Sequence, residues 1–250
     1  MVATILALIA AVVVASPVRG APVADPSGAY ADCMALVNRD PETAFESAMS
    51  WRDSGGGAAA RHCVALALLG LGNAAEAAKR LETLAQEMGQ ADRSLRAEVL
   101  GQAGLAWLVA GNAERADAVL GAALEIDPGN PDLWIDRAQA LAARSAYWDA
   151  IDDLNRAIDL APGRAEAHAF RASANRYVGN LDLAADDIER ALALAPSEPG
   201  ALLERGNIRK LKGDPAGARA DWLRVLLEAP GTPAADSAQP NLERLDVKVE

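Results

Sequence analysis

The stretch AIDDLNRAIDLAP, residues 150–162, is followed 34 residues later by AADDIERALALAP, residues 184–196. The two copies belong to a longer series. Pro128, Pro162, Pro196 and Pro230 fall at intervals of 34, as do Ala116, Ala150, Ala184 and Ala218 and the small residues Gly104, Ala138, Ala172 and Gly206. A fourth register, Leu120, Leu154, Ile188 and Trp222, sets a bulky apolar residue four places after each alanine, on the same helix face.

The spacing predicts pairs of helices of about a dozen residues that approach closely where their side chains are small, with Gly104 facing Ala116 and Ala138 facing Ala150. Each pair leaves a second apolar face that only a neighbouring pair can cover, so the chain is stable as a stack. The order of small residue, alanine, bulky residue and proline on a 34-residue period resembles the tetratricopeptide repeat family. Trp134 stands where that family favours tryptophan, Trp107 where it favours tyrosine, and Trp222 where it favours phenylalanine or tyrosine. The resemblance implies an all-α fold, a right-handed solenoid of stacked antiparallel helix pairs with a C-terminal capping helix. Its units are expected at 97–130, 131–164, 165–198 and 199–232, with an earlier unit at 58–91 that lacks the closing proline. Residues 21–57 are expected to hold a degenerate helix pair, and 233–250 a capping helix, interrupted by Pro240, followed by a loose tail.

Local signals agree with this division. Asn130-Pro131 and Asp214-Pro215 have the form of an N-cap followed by a first-turn proline, and Gly111, Gly179 and Gly213 fall between helices. The composition, 51% hydrophobic with only 4% aromatic residues, suits a helical chain with a large core. A formal net charge of −11 excludes a phosphate-binding, nucleic-acid partner as the main ligand and disfavours an anionic membrane surface.

The N-terminal residues 1–20, with an apolar run beginning at Val2, have the form of a secretory signal cut before Ala21, although no cation precedes the run. An uncleaved anchor is the alternative; after cleavage no stable membrane insertion is expected. The mature chain is then periplasmic or secreted. In that compartment the two cysteines, Cys33 and Cys63, are expected to form a structural disulfide. No cysteine-histidine cluster points to a metal, and redox cysteines are normally closely spaced.

No catalytic constellation emerges, and neither a cofactor nor a metal is expected. Residues 70–75, GLGNAA, match a dinucleotide-binding turn only in spelling, because a helix and not a strand precedes them. The triplet Gly55-Gly56-Gly57 reads as a flexible connector, and His168, at the family's tryptophan position, as a packed side chain. Asp152-Asp153 and Asp186-Asp187 recur with the period, whereas catalysis needs one specialised site. A second recurrence, Arg137, Arg171 and Arg205 against Asp153, Asp187 and Asp221, predicts a ladder of ion pairs between the helices of each pair, contributing about 0–1 kcal/mol each if exposed.

The resemblance implies a scaffold whose first helices line a concave groove for a peptide or a partner's helix. In the helix from Pro131, Trp134, Ala138 and Leu141 would face the core and Ile135, Gln139 and Ala142 the groove. Carried along the period, the groove comprises Leu105, Leu108, Gln139, Ser173, Arg176, Tyr177, Asn207 and Lys210, apolar at one end and basic at the other. A polypeptide with acidic residues would match that gradient. The family's carboxylate-gripping arrangement matches poorly, since Ile135, Ala169 and Leu203 stand where some of its cations would be. The competing expectations are a structural subunit that self-associates through its convex or end surfaces, and an accessory subunit of an envelope-modifying enzyme.

Overall fold

The computed structural model describes residues 28–89 and 92–246. The expected signal segment, 1–20, and the last residues of the expected tail, 247–250, lie outside the described residues. Thirteen α-helices and no strand form the described part: α1 Ala29–Val37, α2 Pro41–Asp53, α3 Gly57–Gly70, α4 Ala74–Glu87, α5 Arg93–Val109, α6 Ala113–Ile126, α7 Pro131–Ala143, α8 Tyr147–Leu160, α9 Ala165–Tyr177, α10 Leu181–Leu194, α11 Pro199–Leu211, α12 Pro215–Glu228 and α13 Pro233–Asp246.

The predicted punctuation is where the helices begin and end. Asp40, Asn112 and Asp214 each accept a hydrogen bond from the backbone N–H three residues on, at 3.1, 3.1 and 2.8 Å, and Pro41 and Pro215 follow two of them. The turns after α5, α9 and α11 pass through Gly111, Gly179 and Gly213 at φ of 77, 86 and 83°. Ser145, at the same register, adopts φ 64° without being glycine. The GLGNAA segment is likewise a turn between α3 and α4. The three-glycine connector is tighter than its composition implied: Gly56 donates to the Trp51 carbonyl at 2.9 Å, and a Cβ there would collide with the Trp51 indole.

The helices fall into two compact units whose boundary, between Ala140 and Leu141, lies within α7. In the first unit each helix from α2 to α6 packs on its neighbour in sequence, and α1 packs on both α2 and α3. The expected disulfide is present: Cys33 of α1 is bonded to Cys63 of α3, with the Cα atoms 6.4 Å apart. Closing a loop of 30 residues in this way is worth about 3.5 kcal/mol on a chain-entropy estimate. Beside it, Tyr30 donates to His62 Nδ1 at 2.8 Å and His62 Nε2 bonds to Gln102 Oε1, so one polar chain crosses α1, α3 and α5.

The close approach in this unit can be read at Gly104, where a Cβ would collide with the Leu120 side chain. The second unit repeats the arrangement, with Gly206 against the Trp222 indole. The small residue of the first helix thus seats the bulky residue of the second, and the recurrent spacing records that fit. Ala184, Ile188, Trp222 and Val225 join one buried core with Ala234, Ala235, Ala238 and Leu242 of α13. These apolar contacts carry α13 through Pro240 as one helix, and the interruption expected there does not occur.

The ion-pair ladder is formed in the second unit. Arg171 clasps Asp187 at 2.9 and 2.6 Å, and Arg205 clasps Asp221 at 3.0 and 2.6 Å. Each arginine also reaches back to the preceding second helix, Arg171 to Asn155 at 2.7 Å and Arg205 to Glu189 at 3.3 Å. One side chain therefore ties two consecutive pairs. The pairs are partly exposed through their arginines, as expected, but the carboxylates of Asp187 and Asp221 are buried.

Candidate interaction surface

The second unit brings its first helices together. α9 packs on α11 and α11 on α13, while α10 and α12 intervene in sequence, so the three first helices run parallel and share a face. The side chains expected to line that face are partly consumed by contacts among themselves. Arg176 of α9 forms an ion pair with Glu204 of α11, whose side chain is 1% exposed, and a second bond of 3.2 Å joins them. Glu204 also accepts from Asn207 Nδ2 at 3.3 Å, and Asn207 Oδ1 accepts from Asn241 of α13 at 3.0 Å. A continuous polar chain thus crosses α9, α11 and α13, as Tyr30, His62 and Gln102 cross three helices of the first unit.

The Arg176 guanidinium also lies over the Tyr177 ring, 4.2 Å from its centroid, and that ring stacks on Tyr147 with centroids 4.7 Å apart. The Glu204 charge holds the guanidinium protonated more firmly than usual, against the opposing effect of burial. Arg176 is thus a structural cation whose charge is already answered, and the basic end of the expected groove is reduced to Lys210, which is exposed. Ser173 is buried and Asn207 is half-buried.

In the first unit, Leu108 and Gln139 are buried and Leu105 is half-buried. Ile135 is buried as well, whereas Trp134, expected to face the core, is only partly covered. Its indole donates to the Pro128 carbonyl at 2.9 Å and holds Arg137 over its ring. His168 repeats that contact in the second unit, bonding through Nε2 to the Pro162 carbonyl at 3.2 Å, which explains how histidine serves at a tryptophan position. The recurrent acid pairs divide by role: Asp153 and Asp187 are buried, Asp152 and Asp186 are exposed. Among the described residues no cluster of side chains could hold a metal ion, and no helix is long and apolar enough to cross a membrane.

A tetratricopeptide repeat model matches residues 102–165 and 171–238, more than half of the chain. Among solved structures, TTC0263, a thermophilic TPR protein of Thermus thermophilus, is 18% identical with a TM-score of 0.61, covering 74% of this chain and 96% of its own. MamA, from residue 41 to its end, of Desulfovibrio magneticus RS-1 is 21% identical with a TM-score of 0.57, covering 76% and 97%. These likenesses show the fold. No curated protein matches the chain in sequence.

Proposed function

This chain belongs to the tetratricopeptide repeat family, and from that premise we propose that it is a non-catalytic scaffold that binds a polypeptide partner along its first-helix face, outside the cytoplasm. The observation that carries the binding face is the parallel adjacency of α9, α11 and α13, with Lys210 and Leu211 left exposed on it. Export is supported by the apolar N-terminal residues and by the Cys33–Cys63 bond, which persists in oxidising compartments. An intact mass that starts at Ala21 and is two hydrogens lighter than the reduced form tests that part. The face is tested with a photo-crosslinking residue placed at Lys210 or Leu211, or at the outward positions Asp152 and Asp186. A polypeptide crosslinked only from the first pair is the expected result; crosslinks only from the second pair reject the face.

One observation favours a second reading, self-association through the outer surface. On α12, Ala216, Ala220, Leu223 and Leu227 are all exposed and lie on one stripe, with Leu227 at 80%. The same registers read Trp148, Asp152, Asn155 and Asp159 on α8 and Asp182, Asp186, Glu189 and Ala193 on α10. A mass in solution that rises with concentration and falls back in Leu223→Glu/Leu227→Glu would establish this reading.

A further inference from the structure

Three cations fall at one register of successive first helices: Arg176 on α9, Lys210 on α11 and Arg244 on α13, 34 residues apart. They are not treated alike. Arg176 is paired with Glu204, 28 residues further along; the residue 28 beyond Lys210 is Ala238, so α13 brings it no carboxylate. Lys210 only approaches the Trp222 ring, at 5.8 Å, and Arg244 bonds to two neutral acceptors, the Pro240 carbonyl and Asn241 Oδ1, at 2.9 and 3.0 Å. Both are exposed. In the same unit Arg171, Arg176, Arg205, Arg209 and Lys212 all have acidic partners. Arg156 of α8 and Arg190 of α10 are likewise exposed and without an acidic partner among the described residues, but they lie on second helices; on the first helices α9, α11 and α13 the cations left unanswered are Lys210 and Arg244.

Their placement is fixed by a contact one turn away. The Asn207–Asn241 hydrogen bond brings the equivalent stripes of two parallel helices together. Proceeding along both helices, the next residues on those stripes are Lys210 and Leu211 on α11, and Arg244 and Leu245 on α13. Leu211 is 56% exposed and Leu245 half-buried against the core. Two cationic heads thus border an apolar strip, and the helix that ends the stack supplies half of the site. This register differs from that of Ile135, Ala169 and Leu203, where the family's carboxylate-gripping arrangement would place its cations.

We propose that Lys210, Arg244 and Leu211 form a docking site for an internal polypeptide segment in which acidic and apolar residues alternate. Its carboxylates sit at the two cations and its apolar side chain lies on Leu211. Charge complementarity selects the occupant: the cations are local, while exposed acids on α8 and α10 repel a long polyanion such as nucleic acid. The site rests on the scaffold reading above and specifies its ligand.

The test uses the full chain with its disulfide intact and a fluorescein-labelled octapeptide of alternating glutamate and leucine, acetylated and amidated so that it carries no terminal charge. Its glutamine–leucine and lysine–leucine counterparts serve as comparison. At low salt the glutamate peptide should bind at least about tenfold more tightly than the glutamine peptide. Lys210→Glu/Arg244→Glu should abolish that preference and transfer it to the lysine peptide, with an unchanged melting curve. Equal binding of the glutamate and glutamine peptides, or a preference that survives the double reversal, overturns the site. So does binding to phosphatidylglycerol vesicles, lost in the same variant, where the glutamate peptide shows no preference. If Leu211 still crosslinks a polypeptide while the peptides are not distinguished, the scaffold stands without this site; if it crosslinks none, the scaffold reading falls too.

Discussion

Arg171 and Asp187, 16 residues apart in sequence, form a two-pronged ion pair between α9 and α10, and Asp187 is buried beneath it. Asn175 adds a bond of 3.3 Å to the same carboxylate. An exposed pair would contribute little, but a carboxylate taken out of water must be answered or neutralised. Arg171→Met alone should therefore cost about 2–4 kcal/mol, because it strands the acid. The Arg171→Met/Asp187→Leu double variant should recover part of that loss. A double-mutant cycle is expected to give a coupling of about 1–3 kcal/mol that changes little with salt; a coupling that vanishes at moderate salt would mean that the pair is solvated.

Two glycines in one helix pair should respond to alanine with opposite signs. Gly104 of α5 has no room for a Cβ against Leu120, whereas the nearest heavy atom to a Cβ at Gly121 of α6 is Arg137 Nη1 at 3.9 Å. Alanine gains up to about 1 kcal/mol over glycine in a helix, so Gly121→Ala should stabilise by roughly that amount. At Gly104 the same gain is opposed by overpacking of about 1–3 kcal/mol, and Gly104→Ala should be destabilising in the balance. Chemical denaturation of the two variants reads the difference directly.

Why the sequence announced these contacts but not the binding face is a matter of periodicity. The seat of Leu120 on Gly104 and of Trp222 on Gly206 falls at the repeat spacing, and so does the Arg171–Asp187 clasp, so each leaves a register that counting reveals. Glu204 belongs to no regular series: its register reads Gln102, Asp136, Phe170, Glu204 and Ala238, and nothing in the spacing shows that it lies beneath Arg176. The burial of Ile135 and Gln139 was missed for a related reason, since a helix wheel gives the order of stripes but not how far the neighbours cover each one. The continuation of the period into α13, by contrast, was open to inspection. Pro199 and Pro233, Asn207 and Asn241, and Lys210 and Arg244 are each 34 apart, but Pro240 at the small-residue register disguised the helix as an interruption.

The polar chain through His62 should confine the stability of the first unit to a pH window. His62 donates from Nε2 to Gln102 and accepts from Tyr30 at Nδ1, which requires the neutral ring. Burial lowers its pKa, so on acidification the unfolded chain takes up the proton first, and stability is lost as pH falls below about 6.5. Tyr30 is shifted the other way, raised to about 12 by burial and, secondarily, by the Glu98 carboxylate. Above about 10 the unfolded chain therefore releases a proton that the folded one retains, and stability falls again. A melting temperature that is level between these limits and drops on both sides is expected. In His62→Asn the decline below about pH 6.5 should flatten while the alkaline decline remains.

Arg176 and Lys210, equivalent by register and both placed by the sequence in one basic groove, should behave as different kinds of residue. Lys210 is exposed and unpaired with any acid among the described residues, so Lys210→Glu should leave the melting temperature nearly unchanged. Arg176 is held between the buried Glu204 carboxylate and the Tyr177 ring. Arg176→Glu would set two carboxylates against each other in a dry position, and the expected loss is about 3–5 kcal/mol. Removing the acid alone, in Glu204→Leu, should also destabilise, since it leaves the guanidinium half-answered; Arg176→Met/Glu204→Leu should restore much of the stability by substituting apolar contact for the ion pair. Reversal of both cations together is therefore unsuitable as a probe of the groove, since lost partner capture would report a damaged stack. The comparison of Arg176→Glu with Lys210→Glu by thermal denaturation decides the matter, and equal melting temperatures would show that the Arg176–Glu204 pair contributes nothing to holding α9 on α11.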